Sequence, residues 1–327
     1  MATGRRYPAC GRNSRQRSGA PRRLDYPEKV RFGTVILPDL AWAESKRRWQ
    51  RAEALGFDHA WTYDHLSWRS YHDKPWYATM PTLTAAALAT GRIGLGTLVA
   101  SPNFRHPLLF AKQLISLDDI SSGRAIAGIG AGVATGWDAT VLGQPALDPR
   151  DRSQRFAEFV ALTDLLLRDQ VATWQGRFYS VEDARTHPGC VQRPRLPLAI
   201  AGSGPKAMRL AARHGGYWVS LGPEVGTTPP LGPAEGAKAV GSGVARLNEA
   251  CEEVGRDAST LRKLVLTGLT LDSGLASPEA FRETAGRYEE AGVTDLVVHW
   301  PTPSGPYQGD MAAFERIFSS LAAHPTL

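Results

Sequence analysis

From residue 30 onward, short apolar runs alternate eight times with stretches of helical spacing. The predicted strands are 30–37, 57–63, 92–100, 124–132, 198–202, 217–221, 264–271 and 295–299. Strands that alternate with helices run parallel, and the helices cover both faces of the sheet. Eight such units favour closure into a barrel, which commonly needs about 250 residues plus insertions. The sequence therefore predicts an α/β fold, a (β/α)8 TIM barrel with insertions.

Two segments interrupt this alternation. Residues 173–179, TWQGRFY, have the pattern of a small hairpin, and a proline-rich stretch follows them. Residues 222–243 are rich in glycine, proline and alanine, and we interpret them as a mobile loop or lid. In TIM barrels the chemistry lies on the loops after the strands, so the residues that follow each predicted strand are the candidate site.

The positive net charge belongs to the N-terminal tail. Residues 1–24 contain seven arginines and no acidic residue, and without them 31 basic residues stand against 32 acidic ones. A tail rich in arginine, glycine, serine and proline buries too little apolar surface to fold. It could tether nucleic acid or an anionic membrane, but we expect a leader without function or a start codon assigned too far upstream. The predicted domains are a disordered tail at 1–24 and a single barrel at 25–327, with no nucleic-acid or membrane partner.

Cysteine spacing and hydropathy bear on disulfides, metal binding and the cellular compartment of the protein. Cys10, Cys190 and Cys251 lie far apart and form neither a disulfide framework nor a metal-binding spacing. His59, His65 and Asp64 imitate part of a metal set, but no second cluster completes it, so no metal site is predicted. The sequence has no run of about 18 apolar residues, so no transmembrane helix is expected. We expect a cytoplasmic protein.

Asp64 and His65 directly follow the second predicted strand. A histidine titrates near neutral pH, so His65 could give or take a proton during a reaction, with Asp64 as an ionised acceptor beside it. The alternative is a structural histidine with its hydrogen bonds satisfied. The position at a strand end of a barrel favours the catalytic interpretation.

Two glycine-rich turns follow the fourth and fifth strands. Gly202, Ser203 and Gly204 lead directly into a helix, where backbone amides and the helix dipole favour an anion such as a phosphate. Gly130 and Gly132 belong to the run GIGAG, which suggests a flat surface for a ring system. A tight turn explains the first set equally well, and crowding inside the barrel explains the second.

Aromatic residues gather around the predicted strand ends. Trp68, Trp76, Tyr77, Trp137 and Trp218 lie in or beside these loops, which suits a flat, apolar substrate or cofactor. The first four are the predicted substrate residues. The acidic residues are dispersed and form no clear pair, which argues against a hydrolase with two catalytic carboxylates.

These stretches resemble the bacterial luciferase-like superfamily of flavin- or deazaflavin-dependent oxidoreductases. The matching motifs, in order along the chain, are AEALGFD (52–58), RIGLGT (92–97), LDDISSGR (117–124), GIGAG (128–132) and IAGSGP (200–205). The resemblance covers the chain from about residue 30 to residue 322. It implies a luciferase-like barrel, an insertion after strand four or five, and a homodimer.

The Asp-His pair after strand two is most similar to the branch of this superfamily that uses coenzyme F420. The resemblance implies that Asp64 contacts the deazaflavin and that His65 is the acid or base. A tryptophan after the histidine is also typical, although Trp68 lies one residue closer than that spacing. The resemblance further implies a cis peptide at Leu98–Val99 after Thr97, behind the central ring. It places the cofactor phosphate on Gly202, Ser203 and Gly204.

Two departures from the superfamily bear on the reaction. The sugar-phosphate dehydrogenases of this branch carry a glutamate where this chain has Val133, so a sugar phosphate is not the expected substrate. The FMN-dependent members usually show a glutamate and paired histidines after strand two, which this chain lacks. We therefore expect hydride transfer between reduced F420 and an apolar or aromatic small molecule. The alternatives are an FMNH2-dependent monooxygenase supplied by a flavin reductase, and a cofactor-binding protein without turnover.

Overall fold

The computed structural model describes residues 30–223 and 229–323. Within these ranges the strands are β1 (Arg31–Val35), β2 (His59–Thr62), β3 (Gly94–Thr97), β4 (Ala125–Ile129), β5 (Val171–Gln175), β6 (Ser180–Arg185), β7 (Leu198–Ala201), β8 (Tyr217–Ser220), β9 (Arg262–Leu266) and β10 (Asp295–His299). The helices are α1 (Trp42–Ala54), α2 (Thr79–Ala89), α3 (Pro107–Ile120), α4 (Trp137–Thr140), α5 (Pro149–Arg168), α6 (Pro205–His214), α7 (Pro233–Glu253), α8 (Pro278–Glu290) and α9 (Met311–Ala323). The predicted tail at 1–24 and its boundary at residue 25 lie outside the described residues.

Eight parallel strands close into a barrel in the order β1-β10-β9-β8-β7-β4-β3-β2. The predicted (β/α)8 fold is therefore confirmed. The predicted hairpin is also present, since β5 and β6 pair antiparallel after α5 and before the fifth barrel strand, β7. Among the described residues, no helix is long and apolar enough to cross a membrane.

Two helix starts follow the signals that the sequence contains. The carboxylate of Asp148 accepts a hydrogen bond from the Asp151 amide at the start of α5, and Pro149 takes the first helical position. Ser277 accepts one from the Ala280 amide at the start of α8. Each side chain satisfies an amide that has no partner within its helix, which fixes the starting point of the helix.

The predicted loop at 222–243 is wrong over its second half, because α7 begins at Pro233. The glycines that suggested a loop are packing residues of this helix. A Cβ atom at Gly236 would stand 2.6 Å from the Tyr288 hydroxyl, and one at Gly243 would stand 3.1 Å from the Trp218 ring. Glycine lets α7 lie close to these two aromatic residues. Residues 224–228 lie outside the described part.

The seventh predicted strand, 264–271, is also wrong at its C-terminal end. The strand β9 ends at Leu266, and the chain turns at Gly268, whose φ is +86°. The apolar residues Leu269 and Leu271 continue the apolar run in the sequence, and for that reason the predicted strand is too long. Leu271 in fact pairs with Leu231 outside the barrel, in an isolated bridge.

A buried ionic network closes the N-terminal end of the barrel. Asp295 accepts hydrogen bonds from His59 (3.0 Å), Arg31 (2.9 Å) and Arg262 (2.7 Å). Burial alone would raise the pKa of Asp295, but the hydrogen bond from His59 and the charges of both arginines lower it below its ordinary value. His59 therefore belongs to a structural network at the end of the barrel opposite the strand C-termini.

Candidate active site

Asp64 lies two residues beyond the end of β2 and is 2% exposed. Arg105 holds both oxygens of its carboxylate, with Nη2 donating to Oδ1 at 2.6 Å and Nε donating to Oδ2. The guanidinium packs over the rings of Phe104 and Phe110 and also donates to Gln113 at 3.0 Å. Asp64 is thus a fixed carboxylate whose charge is balanced by an arginine. Its predicted contact with a cofactor stays a prediction.

His65 is held from two sides. Its Nδ1 atom is hydrogen-bonded to Oδ2 of Asp138, and its ring stacks on Trp68 with centroids 4.2 Å apart. Asp138 is also anchored, because its Oδ1 atom accepts the Leu66 amide at 2.9 Å. The imidazole keeps 17% of its surface exposed, and no partner of Nε2 is found in the described part of the chain. The ring is therefore oriented at one nitrogen and accessible at the other.

Asp138 is a site residue that the sequence did not reveal. It lies in α4, in the loop after β4, and only the fold brings it to His65. At Val133, this loop lacks the glutamate that the resemblance led us to look for. The same loop nevertheless supplies a carboxylate five positions later, at Asp138.

Of the predicted substrate residues, the structure brings two tryptophans to His65. Trp68 stacks on the His65 ring, and the Trp76 indole donates to the His65 carbonyl at 2.9 Å. Tyr77 follows in sequence and is 46% exposed. The side chain of Trp137 lies outside the described residues. Trp218 does not face this group, because it is 1% exposed and its indole donates to the Gly202 carbonyl at 2.7 Å.

A second histidine that the sequence did not single out lies at the end of β10. Nε2 of His299 is 2.6 Å from the Tyr63 hydroxyl, and its ring stacks on Tyr307 at 3.9 Å between centroids. Burial lowers the pKa of His299 to about 3, so the ring is neutral at physiological pH. Burial also raises the pKa of Tyr63. Tyr63, His299 and Tyr307 thus form an uncharged cluster next to the His65 group. The two are connected through the rings of Tyr63 and Trp68, whose centroids are 5.3 Å apart.

The peptide bond between Leu98 and Val99 is cis, which confirms the prediction from the resemblance. The amide of Leu98 donates to the Thr62 carbonyl at 2.9 Å, so this segment stays attached to β2. Thr97 is fully buried, and its hydroxyl donates to the Gly128 carbonyl at 2.7 Å. The predicted cofactor contacts of Thr97, Leu98 and Val99 stay predictions. Because the Thr97 side chain is buried and bonded to Gly128, a contact from Thr97 would come from its backbone.

The glycines after β4 are explained by crowding within the protein. A Cβ atom at Gly130 would lie 2.6 Å from the Val99 side chain, and one at Gly132 would lie 2.7 Å from Asn103. Gly132 also has a φ of +75°, which favours glycine. The alternative that the sequence left open, packing inside the barrel, therefore accounts for these positions. A ring surface on Gly130 and Gly132 stays a prediction.

The turn after β7 has the geometry of an anion site. Gly204 is the N-cap of α6, and no side chain caps this helix. A Cβ atom at Gly204 would meet nothing within 4 Å, so the space in front of the helix is open. Ser203 lines a cleft of about 270 Å³ that continues past Ser220 to Arg246 on α7. The first amides of α6 and the nearby guanidinium together favour a negatively charged group.

No group of three or more His, Cys, Asp or Glu side chains within 30–223 and 229–323 could hold a metal ion. The donors that the structure brings together at the mouth are an imidazole, carboxylates, hydroxyls and backbone amides. Such a set fits an organic cofactor with a phosphate, which needs an anion-binding turn at one end and a proton carrier at the other.

A family model for luciferase-like monooxygenases matches residues 29–290. The chain is 37% identical over 174 residues to F420-dependent glucose-6-phosphate dehydrogenase of Beutenbergia cavernae, covering 50% of this chain and 48% of the relative. It is 28% identical over 220 residues to F420-dependent hydroxymycolic acid dehydrogenase of Mycobacterium tuberculosis, covering 65% and 59%. These matches span about half the length of the curated relatives.

Among solved structures, an F420-dependent secondary alcohol dehydrogenase in complex with an F420-acetone adduct has the same fold. The TM-score is 0.71 at 18% identity, covering 89% of this chain and 98% of the other. At this identity the likeness shows the barrel and its insertions alone.

Proposed function

The chain belongs to the luciferase-like monooxygenase family, and from that premise we propose that it is an oxidoreductase that uses coenzyme F420. The substrate that we propose is an apolar or aromatic small molecule. The names of the relatives support the cofactor, since both curated relatives described above are F420-dependent dehydrogenases. The observation that carries the proposal is His65, whose ring Asp138 orients and whose Nε2 atom has no partner among the described residues.

In this proposal, different residues at the mouth of the barrel bind the cofactor and transfer the proton. The amides at the start of α6, with Ser203 and Arg246, would bind the phosphate of the cofactor side chain. When bound, the deazaflavin ring supplies or accepts the hydride. His65 gives or takes the accompanying proton at Nε2. Trp68 covers one face of the His65 ring, Trp76 anchors the His65 backbone, and the neutral Tyr63–His299 cluster adds no competing charge.

The carboxylate of Asp138 determines which nitrogen of His65 exchanges the proton. A carboxylate only accepts hydrogen bonds, so it holds a proton on Nδ1 and leaves Nε2 as the exchanging atom. Asp138 touches His65 and Leu66. It acts through His65 and is a positioning residue.

We expect Asp138→Asn to lower kcat by about 10- to 100-fold, because an amide also offers a donor and no longer fixes the proton on Nδ1. The dissociation constant of the cofactor should stay unchanged, and Asp138→Glu should restore part of the activity. The measurement is steady-state kinetics together with a cofactor titration. Asp73→Asn, an exposed aspartate in the loop after β2 that also carries His65, is the matched control. A fall in cofactor affinity with normal kcat would contradict this role.

The proposed function is tested by titrating the apoprotein with F420 and separately with FMN, each in oxidised and reduced form, and following fluorescence. We expect F420 to bind and FMN to bind far more weakly. Binding of FMN alone, with oxygen consumption in the presence of a reductase, would replace the proposal with a monooxygenase. Binding of F420 without turnover on alcohols, enones, aromatic substrates and glucose 6-phosphate would indicate a cofactor-binding protein.

A further inference from the structure

The loop after β2 places a cation close to His65. Arg69 lies in this loop, and the carbon of its guanidinium stands 4.5 Å from the centre of the Trp68 ring. The His65 ring stacks on the same indole, with centroids 4.2 Å apart. Together the two distances keep the guanidinium within about 9 Å of the imidazole. A charged donor therefore stands at the edge of the proposed reaction site, held on an aromatic face by a cation–π contact.

The charge of Arg69 has no counterion in the described part of the protein. Among residues 30–223 and 229–323, no carboxylate forms an ion pair with Arg69, and its guanidinium donates no hydrogen bond to them. Arg105 shows the contrast, since it holds both oxygens of the Asp64 carboxylate. A guanidinium carries its donors in a planar fork that fits a carboxylate. At Arg69 this fork is left for solvent or a ligand.

The backbone at Arg69 is strained. Its φ angle is +38°, in the left-handed region where glycine, asparagine and aspartate are the usual residues. Such a conformation costs free energy, and it occurs most often at active sites and ligand-binding positions. Here it accompanies a side chain that lies over the ring of the preceding residue, Trp68. An arginine that served only to keep the surface polar would need neither feature.

The groups beside the guanidinium are aromatic and uncharged. Burial raises the pKa of Tyr63 and the pKa of Tyr307, and the positive charge of Arg69 acts against both rises. The guanidinium is thus close enough to influence both hydroxyls, which stay protonated at physiological pH. Neutral rings do not cancel its charge, and walls of low dielectric constant strengthen the attraction for an anion.

We propose that Arg69 binds a carboxylate group of the substrate, which makes the substrate an aromatic or apolar acid. This inference rests on the proposed function and names the substrate class of the same site. The planar guanidinium would hold both carboxylate oxygens, and the flat body of the acid would lie against the rings around His65. Because the guanidinium is within about 9 Å of the imidazole, a small ring system between the carboxylate and the reacting carbon bridges the two groups.

Lys74 provides a matched control in the same loop. Its Nζ atom stands 5.3 Å from the centre of the Tyr71 ring, so it is also a cation held over an aromatic residue. Like Arg69 it is exposed, and it forms no ion pair with the described residues. Its ring contact is with Tyr71 and not with Trp68, on which His65 stacks. General attraction of anions would involve both cations, whereas direct binding would involve Arg69 alone.

The test compares Arg69→Gln, Arg69→Lys and Lys74→Gln with wild type by isothermal titration calorimetry of the apoprotein. The probes are cinnamate and its neutral counterpart cinnamamide, which share a ring and a side chain and differ in charge. We expect wild type to bind the acid about fivefold more tightly, the upper range for an exposed ion pair, and Arg69→Gln to lose this preference. Arg69→Lys should keep part of it, because lysine retains the charge without the fork. Lys74→Gln should match wild type.

The three variants should unfold within about 2 °C of wild type, because each changes one exposed side chain. Equal affinity of wild type for the acid and the amide, or binding of neither, overturns the inference. A preference for the acid that survives in Arg69→Gln, or that falls equally in Lys74→Gln, overturns it as well. These titrations need no cofactor, so each of these failures leaves the proposed function standing. If the preference depends on Arg69 while F420 does not bind, the carboxylate site is supported and the proposed cofactor is wrong.

Discussion

His65→Ala is expected to lower turnover by about two to four orders of magnitude, the usual contribution of a positioned acid or base. The affinity for F420 should stay within about threefold, which is the threshold we set for unchanged binding, because the proposed phosphate site at Gly204 follows a different strand, β7. Alanine removes Nε2, the accessible nitrogen, and leaves the barrel and its other hydrogen bonds in place. The measurement is single-turnover kinetics combined with a fluorescence titration.

His65→Ala also leaves Asp138 without its main partner, so a second variant is needed. His65→Gln keeps a polar side chain that can donate to Asp138, and it should fold normally but lose turnover to a similar extent. His187→Ala, at an exposed position of the insertion, should behave as wild type. Turnover that survives in both His65 variants would remove the acid/base role and leave His65 as a structural residue.

The parts of this protein that the sequence could predict depend on local patterns. The helix starts at Asp148 and Ser277 need only a few neighbouring residues, and both are found where the sequence places them. The barrel follows from the repeated alternation of strand and helix, which the closed sheet confirms. The same alternation locates Asp64 and His65, because it places them in the loop after the second barrel strand, where barrel chemistry lies.

The parts that the sequence could not predict depend on contacts between distant residues. Asp138 lies 73 positions from His65, and Arg105 lies 41 positions from Asp64. His299 lies 236 positions from Tyr63. Nothing local distinguishes Asp138 from any other loop aspartate. Only closure of the barrel places these groups on the same mouth.

Glycine shows most clearly why local patterns fail. A run such as GIGAG is equally consistent with a ligand surface and with a crowded interior, because both exclude a Cβ atom. The structure fills the space around Gly130 with the Val99 side chain, so packing explains it. Gly204 is the opposite case, since its surroundings are open. The surroundings of the glycine, which the sequence does not contain, decide between the two.

Because the space around Gly204 is open, the substitution Gly204→Asp tests the proposed phosphate site directly. We expect affinity for F420 to fall by about 100- to 1000-fold, because a like charge placed against a bound anion costs several kcal/mol. The backbone tolerates the change, since φ at Gly204 is −84° and a Cβ atom meets nothing within 4 Å. The measurement is the dissociation constant of oxidised F420 by fluorescence.

The same substitution should raise the stability of the free protein. Aspartate is a preferred N-cap residue, and α6 has no side-chain cap, so Gly204→Asp should stabilise the helix by a few tenths of a kcal/mol. Lost binding with an unchanged or higher Tm would therefore exclude misfolding as the cause. Gly204→Asn has a similar shape without the charge and should retain most of the affinity. If Gly204→Asp binds F420 as wild type does, no phosphate lies at the start of α6, and the open cleft beside Ser203 needs another occupant.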